Sequence, residues 1–210
     1  MSHVVLLGDS IFDNAAYVPG GPSVLDHLHR LLPSARQVTL LARDGALTAD
    51  VLPQLDRLPA DATHLVVSAG GNDALGHAAT ILQEPAASYR EVLSWLADAR
   101  DDFRRDCRTM LAQLTSHGKP ATVCTVYDSV PGLEPCLSAG LCAFNDAITR
   151  EAVRAGLSVL DLRLVCREPT DYSSLSPIEP SASGGGKIAR AIARLVTDPT
   201  GATAASRVFA

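Results

Sequence analysis

Short runs of Val and Leu recur along this chain, separated by longer stretches with helical periodicity, and that alternation decides the fold class. The runs are His3–Leu7, Gln37–Leu41, His64–Ser68, Ala121–Val126 and Leu157–Leu162. Each is apolar almost throughout rather than at every second residue, the pattern of a strand covered on both faces. Helices are predicted over Pro22–Leu32, Ala49–Arg57, Tyr89–Ser116, Pro135–Arg154 and Ser183–Val196. The third is the plainest: Tyr89, Val92, Leu93, Leu96, Phe103, Cys107, Met110, Leu111 and Leu114 step by three and four along one face. Gly118 and Pro120 follow where a helix should stop. Strands alternating with helices make a five-stranded parallel sheet with helices on both sides, an open α/β sandwich. Residues 1–196 are read as one domain, and the small, polar tail 197–210 is expected to fray.

Composition narrows the partners. The 210 residues carry a formal net charge of -5 and no basic run, so the footprint of a nucleic-acid binder is missing. No apolar stretch approaches the ~20 residues that span a bilayer, so no membrane partner is expected. Only Val4-Val5-Leu6-Leu7 precedes Gly8, too short for a secretion signal, so the expected location is cytoplasmic. Cys107, Cys124, Cys136, Cys142 and Cys166 form no Cys-x-x-Cys pair and are read as reduced, mostly buried thiols, with no metal site.

Ligands of such sheets bind beyond the carboxyl ends of the strands, which limits the residues that can meet. Gly8-Asp9-Ser10 follows the first strand, so the Ser10 hydroxyl stands at the mouth of the sheet, either as a nucleophile awaiting a base or as a helix cap. Gly70-Gly71-Asn72-Asp73 follows the third strand, and Gly45 lies past the second. The Asn72 amide and the backbone N–H groups of Gly45 and Ser10 are donors of the kind that stabilise a tetrahedral oxyanion, each worth roughly 3 kcal/mol of barrier. Read singly, each block is an ordinary turn or cap. Gly184-Gly185-Gly186-Lys187 lacks the spacing of a phosphate loop and suits close packing at the start of the last helix.

In this order the blocks resemble those of the GDSL or SGNH hydrolases. Gly8-Asp9-Ser10 is similar to the first block of that family, Gly45 to the second and Gly70-Gly71-Asn72-Asp73 to the third, and the likeness runs from His3 to about Val196. The resemblance implies a flavodoxin-like three-layer α/β/α fold. It also implies a serine esterase, lipase or deacetylase that needs no cofactor and acts on a small-molecule ester. Ser10 is then the nucleophile, with the Ser10 N–H, Gly45 N–H and Asn72 side chain as the oxyanion hole.

The last block departs from the family. Where Asp-x-x-His-Pro is expected, the chain reads Ser176-Pro177-Ile178-Glu179-Pro180, with Glu179 in place of the His, and its final histidine is His117. Glu179 is therefore the expected base, a role that needs burial to lift it from the ~4.3 of a free Glu. His77, four residues past Asp73, is the one histidine placed to substitute. Asp171, with Glu168 nearby, is a candidate to orient the base, and Asp13, Asn14 and Tyr17 are candidates to line the pocket. Nine aromatic residues and no lid insertion favour short acyl chains. Loss of the imidazole keeps a second reading open, a catalytically silent module that binds an acyl or sugar ligand at the same mouth.

Overall fold

A computed structural model describes residues 2–33, 36–197 and 208–209. Six parallel strands form one sheet in the order β2-β1-β3-β4-β5-β6. They are β1 (His3–Gly8), β2 (Gln37–Leu40), β3 (His64–Ser68), β4 (Ala121–Cys124), β5 (Ser158–Leu160) and β6 (Val208–Phe209). Their residues alternate between two cores: Val5, Leu7, Leu65 and Val67 face one side, Val4, Leu6 and Val66 the other. That is why the strands read as apolar at every position.

Helix α1 (Val24–Leu31) and helix α7 (Ala182–Thr197) cover the second side, while α2 (Val51–Leu55), α4 (Tyr89–Ser116) and α5 (Pro135–Arg154) cover the first. Between α4 and α5, the buried Glu151 carboxylate binds Arg104 at 2.5 Å and Arg108 at 3.1 Å. The bounds of α4 and α5 are those expected from periodicity. Two helices were not foreseen: α3 (Gly71–Gln83) and the short α6 (Leu162–Val165). No residue of α3 is fully buried, so its sequence carries no stripe facing a core.

The sheet has six strands rather than five. Val208 and Phe209 pair with Val159 and Leu160, so this part of the tail is a strand and not a frayed end; residues 198–207 and 210 lie outside the described residues. Two strands are shorter than expected. β4 stops before Val126 because the Asn145 side chain takes both the Val126 N–H and C=O, each at 2.8 Å. β5 stops at Leu160 because the Asp161 carboxylate caps α6.

The chain leaves β1 for β2 on one flank, then returns to β3 on the other. This reversal places the carboxyl ends of β1 and β3 side by side, with Gly8 opposite Ser68, at the crevice where open α/β sheets hold ligands. Among the described residues no helix is long and apolar enough to cross a membrane. All five cysteines are free; Cys107, Cys124 and Cys166 are buried, Cys136 and Cys142 exposed.

Candidate active site

The turn that presents Ser10 is built around Gly8. Its φ of +115° lies in the left-handed region, and a Cβ there would stand 1.7 Å from the Ser68 carbonyl oxygen. Only glycine fits. The Gln54 amide grips this residue twice: it accepts from the Gly8 N–H at 2.7 Å and donates to the Gly8 carbonyl at 2.9 Å. Asp9 then turns the chain, its carboxylate accepting from the Ile11 N–H at 3.1 Å. Ser10 emerges nearly buried, and among the described residues its N–H has no acceptor.

Asn72 reaches the same crevice from the first turn of α3. Gly70, at φ +119°, makes the bend before it, where a Cβ would press on the Phe103 ring at 2.9 Å. One Asn72 N–H donates to the Ala46 carbonyl at 3.0 Å, and Asp73 accepts from the Thr48 N–H at 3.0 Å and hydroxyl at 3.1 Å. These bonds pin the loop that carries Gly45. Gly45 itself is exposed at φ +76°, its N–H without an acceptor among the described residues, and it adjoins the chamber rather than lining it.

Glu179 arrives on the segment before α7, only 5% exposed. Three successive carbonyls hold that segment. The Tyr127 hydroxyl donates to Ile178 at 2.6 Å, the Ser173 N–H to Glu179 at 2.8 Å and the Asn14 amide to Pro180 at 3.1 Å. The Glu179 carboxyl lines the same end of the chamber as Ser10. Burial pushes the carboxyl up to about 7; the neighbouring Ser10 hydroxyl works against that and the Asp44 charge adds to it. Asp9, buried beside them, is pushed up to about 8, by burial above all and by the charges of Glu179 and Asp73 besides. Oε2 of Glu179 is buried without a partner, leaving the carboxyl room to accept a proton.

Four expectations need correction. Asp13 and Tyr17 do not line the chamber. The Asp13 carboxylate accepts from the Asp44 N–H at 3.1 Å and the Tyr17 hydroxyl donates to the Asp44 carboxylate at 2.7 Å, so both brace the Gly45 loop through Asp44. Asn14 spans two loops, accepting from the Val24 N–H at 2.9 Å while holding Pro180. Asp171 does not orient Glu179: its fully buried carboxylate is committed to Lys187 at 2.7 Å and to the N–H groups of Arg167 and Glu168, both at 3.0 Å. The glycines expected to permit close packing do so, since a Cβ on Gly184 would stand 2.1 Å from the Asp171 carbonyl oxygen. His77 lines the chamber and packs its ring against Phe144, centroids 5.8 Å apart.

Gln54 escaped the sequence reading. A Gln inside Val51-Leu52-Pro53-Gln54-Leu55 was the available signal.

Over residues 6–185 the sequence matches the GDSL-like Lipase/Acylhydrolase family. The chain belongs to that family. No curated protein sequence matches it. Solved structures share the GDSL fold at low identity. The lipase Lip_vut3 from a goat rumen metagenome is 16% identical at a TM-score of 0.70, covering 90% of this chain and 95% of that one. An extracellular lipase of Streptomyces rimosus is 21% identical at 0.63, with 89% and 96% covered. The acetyl xylan esterase Axe2-W215I of Geobacillus stearothermophilus is 15% identical at 0.66, with 92% and 93% covered. A parallel sheet between helical layers is therefore the GDSL hydrolase architecture in this chain too.

Proposed function

We propose that this GDSL hydrolase cleaves small carboxylic esters or acetyl groups through an acyl-enzyme on Ser10, with Glu179 as the base. The observation that carries the reading is the gathering of Ser10, Asn72 and the buried Glu179 carboxyl, which burial pushes up to about 7, around one chamber. At pH 7 about half of such carboxyls are ionised, which suits a group that must take a proton and return it. Glu179 accepts the Ser10 proton as Oγ adds to the ester carbonyl. The new oxyanion is met by the free N–H groups of Ser10 and Gly45 and by the Asn72 amide. Collapse of the adduct expels the alcohol, which receives the proton from Glu179. Water then attacks the acyl-enzyme by the same route in reverse.

Asp9, kept neutral by its burial, leaves Glu179 as the charge nearest the hydroxyl. Asp13 and Tyr17 act through Asp44, as positioning residues for the Gly45 loop. A fluorophosphonate probe tests the reading: the wild-type protein should be labelled on Ser10, and Ser10→Ala should lose both label and ester hydrolysis. An unlabelled wild-type protein that still binds acyl or sugar ligands would make the site a silent binding module.

A further inference from the structure

The chamber that opens on Ser10 holds about 200 Å³ and gathers most of its polar groups at one end. Asp9, Ser10, Asn72 and Glu179 gather there. Away from that end the wall is mostly aliphatic or aromatic, with Ala78 and Ile81 from α3, Leu96 from α4, and Leu137 and Phe144 from α5, joined by His77 against Phe144 and by Cys136. Asn72 and Ile81 are nine residues apart on one helix, which carries the wall about 14 Å from the oxyanion donor. Native interiors are close-packed, and dry voids of this size are few. A helix with no buried residue stands over an apolar hollow, with Leu82 on the same wall 59% exposed. The hollow therefore has the shape and polarity of a site for a molecule with a polar head and an aliphatic tail.

We infer that the acyl part of the substrate is an unbranched aliphatic chain of about six to eight carbons, its ester carbon at Ser10 and its tail between α3, α4 and α5. This rests on Ser10 as the nucleophile. The length follows from volume: an apolar cavity of about 150 Å³ holds the six carbons of benzene, so about 200 Å³ holds roughly six to eight. An acetyl group would leave most of it unfilled, so among the esters proposed the wall favours the longer acyl chains. Gly140 is the selecting position. It lines the chamber where α5 faces α4, and a Cβ there stands in ordinary contact with Leu96 at 3.9 Å, so a long side chain added at this lining position extends toward the space of the tail.

The test is a chain-length series of p-nitrophenyl esters, acetate to palmitate, on the whole protein. For the wild type, kcat/KM should climb by up to about fourfold per added methylene, peak at hexanoate or octanoate, and fall by laurate. Gly140→Leu should move the optimum to acetate or butyrate, lowering the octanoate-to-acetate ratio at least tenfold. Ala78→Phe on the opposite wall should do the same, should the first variant fail to fold. A wild-type optimum at acetate, or an unchanged ratio in folded variants, overturns the inference. If no ester is turned over, the Ser10 reading fails instead, and titration of Ser10→Ala with octanoate and acetate then decides the chamber. Octanoate binding at least tenfold tighter than acetate supports the tail site; equal or absent binding overturns it.

Discussion

Glu179→Gln separates chemistry from stability, because the same burial that suits Glu179 to its proposed role makes it costly to the fold. The native carboxyl is pushed up to about 7 from 4.5, by burial first, with Asp44 adding and Ser10 opposing. Folding therefore favours the protonated form. The stability this contributes is complete below pH 4.5, drains as pH rises toward 7, and is gone above it. At ~1.36 kcal/mol per pH unit the interval sets a ceiling of about 3 kcal/mol. The carboxyl faces a chamber open to solvent, which reduces the expected effect to about 2 kcal/mol. The amide of Gln carries no charge at any of these pH values. Relative to wild type, Glu179→Gln should therefore gain about 2 kcal/mol between pH 4 and pH 8.5. For a chain of this size that is a relative Tm gain of about 4–8 °C. Thermal unfolding followed by circular dichroism at the two pH values reads it. Ester hydrolysis by the same variant should fall about 10²–10⁴-fold. In the wild type, kcat/KM should drop about tenfold per pH unit below 7 as the base is protonated. A Tm difference that ignores pH means that the carboxyl is not desolvated, and undiminished turnover removes Glu179 from the chemistry.

Asn72→Ala removes an oxyanion donor and the tether to Ala46 together; kcat should fall about 10²–10³-fold while KM moves little, as measured by steady-state kinetics. Lys187→Met strips the cation from the fully buried Asp171 carboxylate and should cost about 3 kcal/mol in urea unfolding at pH 7. Adding Asp171→Asn should restore part of that loss, since the uncompensated charge and not the missing amine is the source of the penalty.

Where a residue's burial and its local conformation set its identity, the chain could be read directly. β1 and β3 are apolar on both faces because both are covered, and the bounds of α4 and α5 follow from spacing, although Tyr89 and Leu93 at the start of the α4 stripe are exposed and its buried part runs from Ala99 to Leu114. Gly8 and Gly70 stand where no Cβ fits, and the blocks around them marked Ser10 and Asn72. Other features depend on partners distant in the chain. Helix α3 walls a cavity instead of joining a core, so it has no buried stripe to betray it. β6 is two residues of backbone pairing, too short for any pattern. Gln54 meets Gly8 across 46 positions and Asn14 meets Pro180 across 166, and nothing in either neighbourhood specifies the other. Asp13, Tyr17 and Asp171 were recognised as polar groups near the right loops, but a carboxylate or hydroxyl takes whichever donor or acceptor the fold brings to it. Local sequence thus determined the layers and the turns that offer the hydroxyl and the amide, because backbone sterics and burial act residue by residue. Tertiary structure alone decided that Glu179 and Ser10 line one chamber and that a largely apolar hollow lies beyond them, because desolvation and shape belong to the assembled surfaces.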